Sequence, residues 1–133
     1  MAKIRMRKVV IEPFFRIVHI AIGDNGRNTI NAMMKALNIP KEVDPRKTSI
    51  ASCYTVWHEE HGYILLAFPK TMSMGVVVHE VFHVVNEISY DGTGDPIGKG
   101  SDEAYAYTLE MAVDRVGKAV AELGGSIYAM GKG

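Results

Sequence analysis

Cysteine is nearly absent from this chain: Cys53 is the only one in 133 residues. No internal disulfide can form, so nothing in the sequence demands an oxidising compartment. An excess of charge of either sign is also missing, since 15 Lys and Arg balance 15 Asp and Glu. A neutral total leaves neither a broad nucleic-acid footprint nor an electrostatic attraction to anionic membranes. The longest apolar runs fall far short of a membrane span. After the basic start, Met1 to Lys8, there is no apolar h-region and no small-residue cleavage site, so a secretory signal is not expected. Repeats and a dividing linker are lacking too. These absences predict a single domain over residues 1–133, placed in the cytoplasm. Its 47 % hydrophobic and 23 % charged residues are ordinary for a globular protein of this size.

What the chain does contain is His79-Glu80-Val81-Phe82-His83. On a helix, residues four apart stack on one face, so His79 and His83 are placed to share a tetrahedral Zn²⁺. Glu80 follows the first imidazole and projects toward the same side. There a carboxylate can take a proton from a metal-bound water, which makes Glu80 the catalytic candidate. The flanking sequence predicts a helix. Thr71-Met72-Ser73 offers hydroxyl caps, and no proline interrupts the stretch up to about Ser89. Its six valines favour a strand, but the run is too long for one and apolar on nearly all sides, as in a buried helix.

The remaining pattern predicts an α+β fold. Residues 3–11 and 14–22 read as two strands, and Gly23-Asp24-Asn25-Gly26 as a turn. Asn28 to about Leu37 has helical spacing and ends at Asn38 and Pro40. Ser52–His58 and Tyr63–Phe68 form a hairpin across Glu59-Glu60-His61-Gly62. After the motif helix comes a glycine-rich loop over 91–100, then a final helix from about Ser101 to Leu123. Residues 124–133 are expected to form a loosely ordered tail.

Two histidines hold zinc weakly, and a catalytic site usually has three protein ligands plus water. His58 and His61 sit at a polar turn, Cys53 suits a small buried hydrophobe, and His19 lies within an apolar strand. The last helix offers a better third ligand. At 100° per residue, Glu103, Tyr107, Glu110 and Asp114 fall on one stripe, opposite Leu109, Ala112, Val113 and Val116. That stripe is either a solvated face or a face turned to the motif helix. In the second case Glu103 binds the metal and Glu110 or Asp114 steadies an imidazole. Asp102 is the alternative to Glu103, although its position also suits an N-cap. Tyr107 and Tyr105 are candidate donors to an oxyanion.

His79-Glu80-Val81-Phe82-His83-Val84-Val85, a glycine-containing loop and Glu103-Ala104-Tyr105-Ala106-Tyr107 resemble small zincin-like proteins encoded by bacteriophages and prophages. More distantly, they look like the mobile-element metallopeptidases that cleave repressors, which also place a Glu-Ala pair at the start of the helix after the motif helix. The resemblance is specific over residues 76–112. It implies a minimal zincin-like domain, a small sheet with a β-hairpin packed on the motif helix and a C-terminal helix. It also implies a gluzincin-type site with His79, His83 and Glu103 as ligands and Glu80 as base.

The expected function is therefore zinc-dependent hydrolysis of a peptide bond in a peptide or protein substrate, in the host cytoplasm if the chain is phage encoded. In zincins an extended substrate commonly pairs with an edge strand beside the motif helix, and Tyr63–Phe68 is the expected strand here. Three other readings compete. They are a catalytically silent, zinc-stabilised binding or assembly protein, an amidase on a cell-wall peptide, and a nucleic-acid binder using Lys3, Arg5, Arg7 and Lys8. The last four more simply form a charge-protected strand edge, so neither nucleic acid nor membrane is an expected partner.

Overall fold

The computed structural model describes residues 4–12, 16–44, 50–93 and 102–129, with residues 89–93 and 102–104 described as backbone only. The chain is α+β: β1 (Met6–Ile11), β2 (Arg16–Ile22), α1 (Gly26–Ala36), β3 (Ser52–His58), β4 (His61–Phe68), β5 (Thr71–Ser73), α2 (Met74–Thr93), α3 (Asp102–Glu122) and β6 (Ser126–Tyr128). The main sheet has the order β1-β2-β4-β3, with β2 and β4 parallel and the outer pairs antiparallel.

Strand alternation decides what covers each face. Val18 and Ile20 of β2 and Ile64, Leu66 and Phe68 of β4 point to one side, where they pack with α2 and α3. Ala21, Leu65 and Ala67 point to the other, against Ile30, Met33 and Met34 of α1. Residues 64–68 are buried on both faces, which explains why β4 reads as an unbroken apolar run rather than an alternating one. Complete burial of Leu66 and Phe68 contributes roughly 1.5–3 kcal/mol for each side chain.

This order corrects the expected substrate strand. β4 is paired on both sides and has no edge to offer. The edge beside α2 belongs to β3, because the hairpin folds outward from the parallel β2–β4 pair. The other edge is β1, where Arg7 pairs with Glu122 at 3.7 Å and Arg5 donates to the Glu122 carbonyl, as a charge-protected edge requires.

Helix ends follow local chemistry. Asn25 caps α1 by accepting from the amides of Arg27 and Asn28. Asn38, at φ 59°, turns the chain out of it. Gly124, at φ 89°, ends α3, and Gly125 donates to the Val120 carbonyl at 2.8 Å in a Schellman arrangement. A Cβ on Gly125 would stand 2.5 Å from Val120 Cγ1 and 2.7 Å from Ile22 Cδ1. That close approach carries the chain straight into β6, which pairs in parallel with β5. Residues 126–128 are thus a strand, where sequence pattern suggested tail. Ile127 packs on the main core and anchors it.

The hairpin turn stores strain. Glu59 and Glu60 both take positive φ, 49° and 67°, in a two-residue loop whose geometry favours Asn-Gly. Left-handed backbone costs a residue with a Cβ about 1–2 kcal/mol. Glu60→Gly should therefore raise stability by about 1 kcal/mol, seen as a higher urea midpoint; an unchanged or lower midpoint would show that the turn is not strained.

His19 is buried in β2, and its Nδ1 has no hydrogen-bond partner among the described residues. Burial first, and then the Lys8 charge, hold its pKa below the ordinary 6.5. The unfolded chain therefore takes up this proton at a higher pH than the folded one, and stability falls as pH drops through the ordinary histidine range. His19→Leu should shrink the loss of urea midpoint between pH 7 and pH 5. An unaltered loss would remove His19 as a source of acid sensitivity.

Candidate metal centre

Ser73 starts the motif helix by accepting a hydrogen bond from the Val76 amide at 3.3 Å. From there α2 buries Val77, Val81, Val84, Val85 and Ile88 against the sheet. The helix covers only one side of that sheet, so it is not apolar-buried all round. Its opposite face carries Val78, His79, Phe82 and His83, all exposed.

His79 and His83 stand one turn apart with ring centroids 5.0 Å from each other, as the i, i+4 spacing requires. Glu80 is buried, and its Oε2 lies 4.0 Å from His79 Nε2. The donor atoms of His79, Glu80 and His83 all lie within 4.8 Å of one another. The donor set suits zinc: two exposed imidazoles able to bind as neutral ligands, with a carboxylate held beside them. Burial raises the Glu80 pKa above the ordinary carboxylate value, and the neighbouring imidazoles oppose that rise.

Three comparisons bear on this site: family models, curated proteins and solved structures all returned no match to the chain. Its chemistry rests on the residues themselves.

Of the expected third ligands, Glu103 and Asp102 both fall at the start of α3, and their side chains lie outside the described residues. Tyr107, Glu110 and Asp114, expected beside an imidazole or an oxyanion, are placed on the solvated face of α3. Tyr107 is 68 % exposed, Glu110 is exposed, and Asp114 pairs with Lys118 at 3.4 Å. The physical reason is the opposite face of the helix: burying Ala112 and Val116 against the sheet core turns the acidic stripe outward. The tyrosine that does reach α2 is Tyr105. Its ring meets Phe82 edge-on at 6.3 Å, and its buried hydroxyl has no hydrogen-bond partner among the described residues.

Several neighbours of the cluster were not singled out from the sequence. Asn86 and Glu87 continue the His79–His83 stripe by another turn, at i+3 and i+4 from His83, so helical spacing alone points to them. Cys53 of β3 lines a polar recess together with Asn86, Glu87 and the three cluster residues. Its thiol is pushed up to about 12, first by burial and then by the Glu80 and Glu87 carboxylates. In the metal-free protein it is a protonated, unreactive thiol at neutral pH.

Proposed function

We propose that the chain is a zinc-dependent peptidase in which His79 and His83 hold the metal and Glu80 is the general base. The observation that carries this reading is the position of Glu80. Glu80 is buried, with its Oε2 4.0 Å from the His79 imidazole and a carboxylate oxygen within 4.8 Å of the His83 donor atom, and a general base needs just that proximity. When bound, zinc lowers the pKa of its water toward neutrality and polarises a substrate carbonyl. Glu80 takes the proton and returns it to the departing amine. Glu103 is proposed as the third ligand, with Asp102 as the alternative.

No described helix is long and apolar enough to cross a membrane. A metal-braced binding or assembly module is the second reading. It uses the imidazoles as clamps and gives Glu80 no task.

Metal content tests the ligand set. Plasma mass spectrometry should find about one zinc per chain, reduced in Glu103→Ala and retained in Asp102→Ala. The reverse ranking would move the third ligand to Asp102, and no zinc after reconstitution would end the enzyme reading.

A further inference from the structure

Trp57 is the chain's only tryptophan, and it is 65 % exposed. Single exposed apolar residues are ordinary, but this ring is held in a set place. A Cβ on Gly62, its partner across the β3–β4 hairpin, would stand 3.2 Å from both Cε3 and Cζ3 of the indole and 3.3 Å from Arg16 Nη2. The missing side chain at Gly62 thus makes room for the six-membered ring and brings the guanidinium beside it. The Lys41 ammonium donates to the Trp57 carbonyl at 2.9 Å and fixes the backbone there.

The ring borders a pocket of about 490 Å³ together with Arg16, Thr55, Gly62, Tyr63 and Glu87. Thr55 and Glu87 also line the recess that holds His79, Glu80 and His83, so the two hollows adjoin. Thr55 and Trp57 are two positions apart on one strand, which places them on the same face about 7 Å apart.

This lining narrows the ligand. Arg16 and Glu87 are opposite in sign, so a cation or an anion meets repulsion from one of them. An apolar side chain would cover the indole but strip water from Arg16, Thr55 and Glu87 without replacing it. Arg16 already engages a neighbour within the fold, and its five donors let it serve a ligand as well. What fits is a neutral ring with an apolar face for the indole and a rim of hydroxyls that both donate and accept. A pyranose has that form. A nucleobase also stacks, but its phosphate would meet Glu87 beside Arg16, and the chain has no excess of positive charge.

We propose that Trp57, Arg16, Thr55 and Glu87 form a carbohydrate subsite for one neutral pyranose ring. Its place beside the cluster makes the substrate a glycosylated peptide. That second statement rests on the hydrolytic reading above; the sugar binding does not.

Because Trp57 is the sole tryptophan, intrinsic fluorescence reads the site directly. Metal-free protein is titrated with methyl glucoside, methyl galactoside and N-acetylglucosamine, with glucosamine and glucuronic acid as the cationic and anionic controls. At least one neutral sugar should give a saturable change in intensity or wavelength, and the charged ones should bind several-fold more weakly. In ligand-observed NMR, Trp57→Ala should lose roughly tenfold in affinity, and Trp57→Phe should keep most of it. Glu87→Lys should turn the preference toward glucuronic acid, a gain that misfolding cannot mimic. The subsite is overturned by no response to any neutral sugar, by unaltered binding in Trp57→Ala, or by tighter binding of adenosine or N-acetylphenylalaninamide. Zinc-loaded protein separately receives a peptide library with and without serine-linked glucose. The glycosylated set should be cut roughly tenfold or more faster. Sugar binding with neither set cut upholds the subsite and removes the hydrolytic reading. Equal cutting of both sets, with no sugar bound, does the opposite.

Discussion

Glu80→Gln should abolish peptide hydrolysis, by about 10²-fold to 10⁴-fold or more, while leaving fold and zinc content intact. Gln has nearly the same shape and can fill the same buried position. What it lacks is the ability to accept a proton. The change should not destabilise the protein, because burial already disfavours the charged carboxylate there and an uncharged amide avoids that penalty. The expected pattern is thus an unchanged or slightly raised melting temperature, unchanged zinc by mass spectrometry, and turnover at background on a peptide library. Persistent turnover in the variant would strip Glu80 of its role as base. A loss of zinc alongside activity would instead make Glu80 part of the coordination.

The second large effect is expected at His83. Its side chain is exposed and packs mainly against the neighbouring rings of His79 and Phe82. Truncation should therefore cost the metal-free protein little, and alanine is the better helix former. The metal-bound protein is a different matter. A ligand that binds only the folded state stabilises it by RT ln(1 + [L]/Kd), about 4 kcal/mol at a thousandfold excess over Kd. His83→Ala should erase most of that term. Thermal unfolding with zinc and with chelator would show two well-separated midpoints for the wild type and nearly coincident ones for the variant. A zinc-induced shift of the original size in His83→Ala would exclude this imidazole as a ligand.

How much of this was legible beforehand differs from element to element. The hairpin could be read because Ser52–His58 and residues 61–68 are joined by a tight polar turn, a purely local signal. The motif helix could be read because its length and its lack of proline outweighed the β-propensity of its valines. The position of β4 could not, since an apolar run does not say which strands will flank it. The β5–β6 pair was hidden for a related reason: each strand is three residues long, and their pairing joins Thr71 to Ser126 across two helices. The apolar border of the site was masked by composition. Val78 and Phe82 look like core on a helix rich in valine, and only the arrangement of α2 on the sheet reveals that they face outward. The acidic stripe of α3 was a fair reading of periodicity in which the direction, not the spacing, was undetermined.

The parallel contact between β2 and β4 also bears on how the chain reaches this state. Val18 sits opposite Ile64, so the central pairing of the sheet closes only after 46 positions of chain have been brought together. The β3–β4 hairpin needs no such closure, and hairpins form in about 1–10 μs. During refolding it should precede the rest, with the backbone of β4 presented along an open flank until β2 arrives. That interval is when Ile64-Leu65-Leu66 is most available to another chain. The yield of refolded protein should therefore fall as concentration rises, even though the finished sheet keeps this strand in its interior.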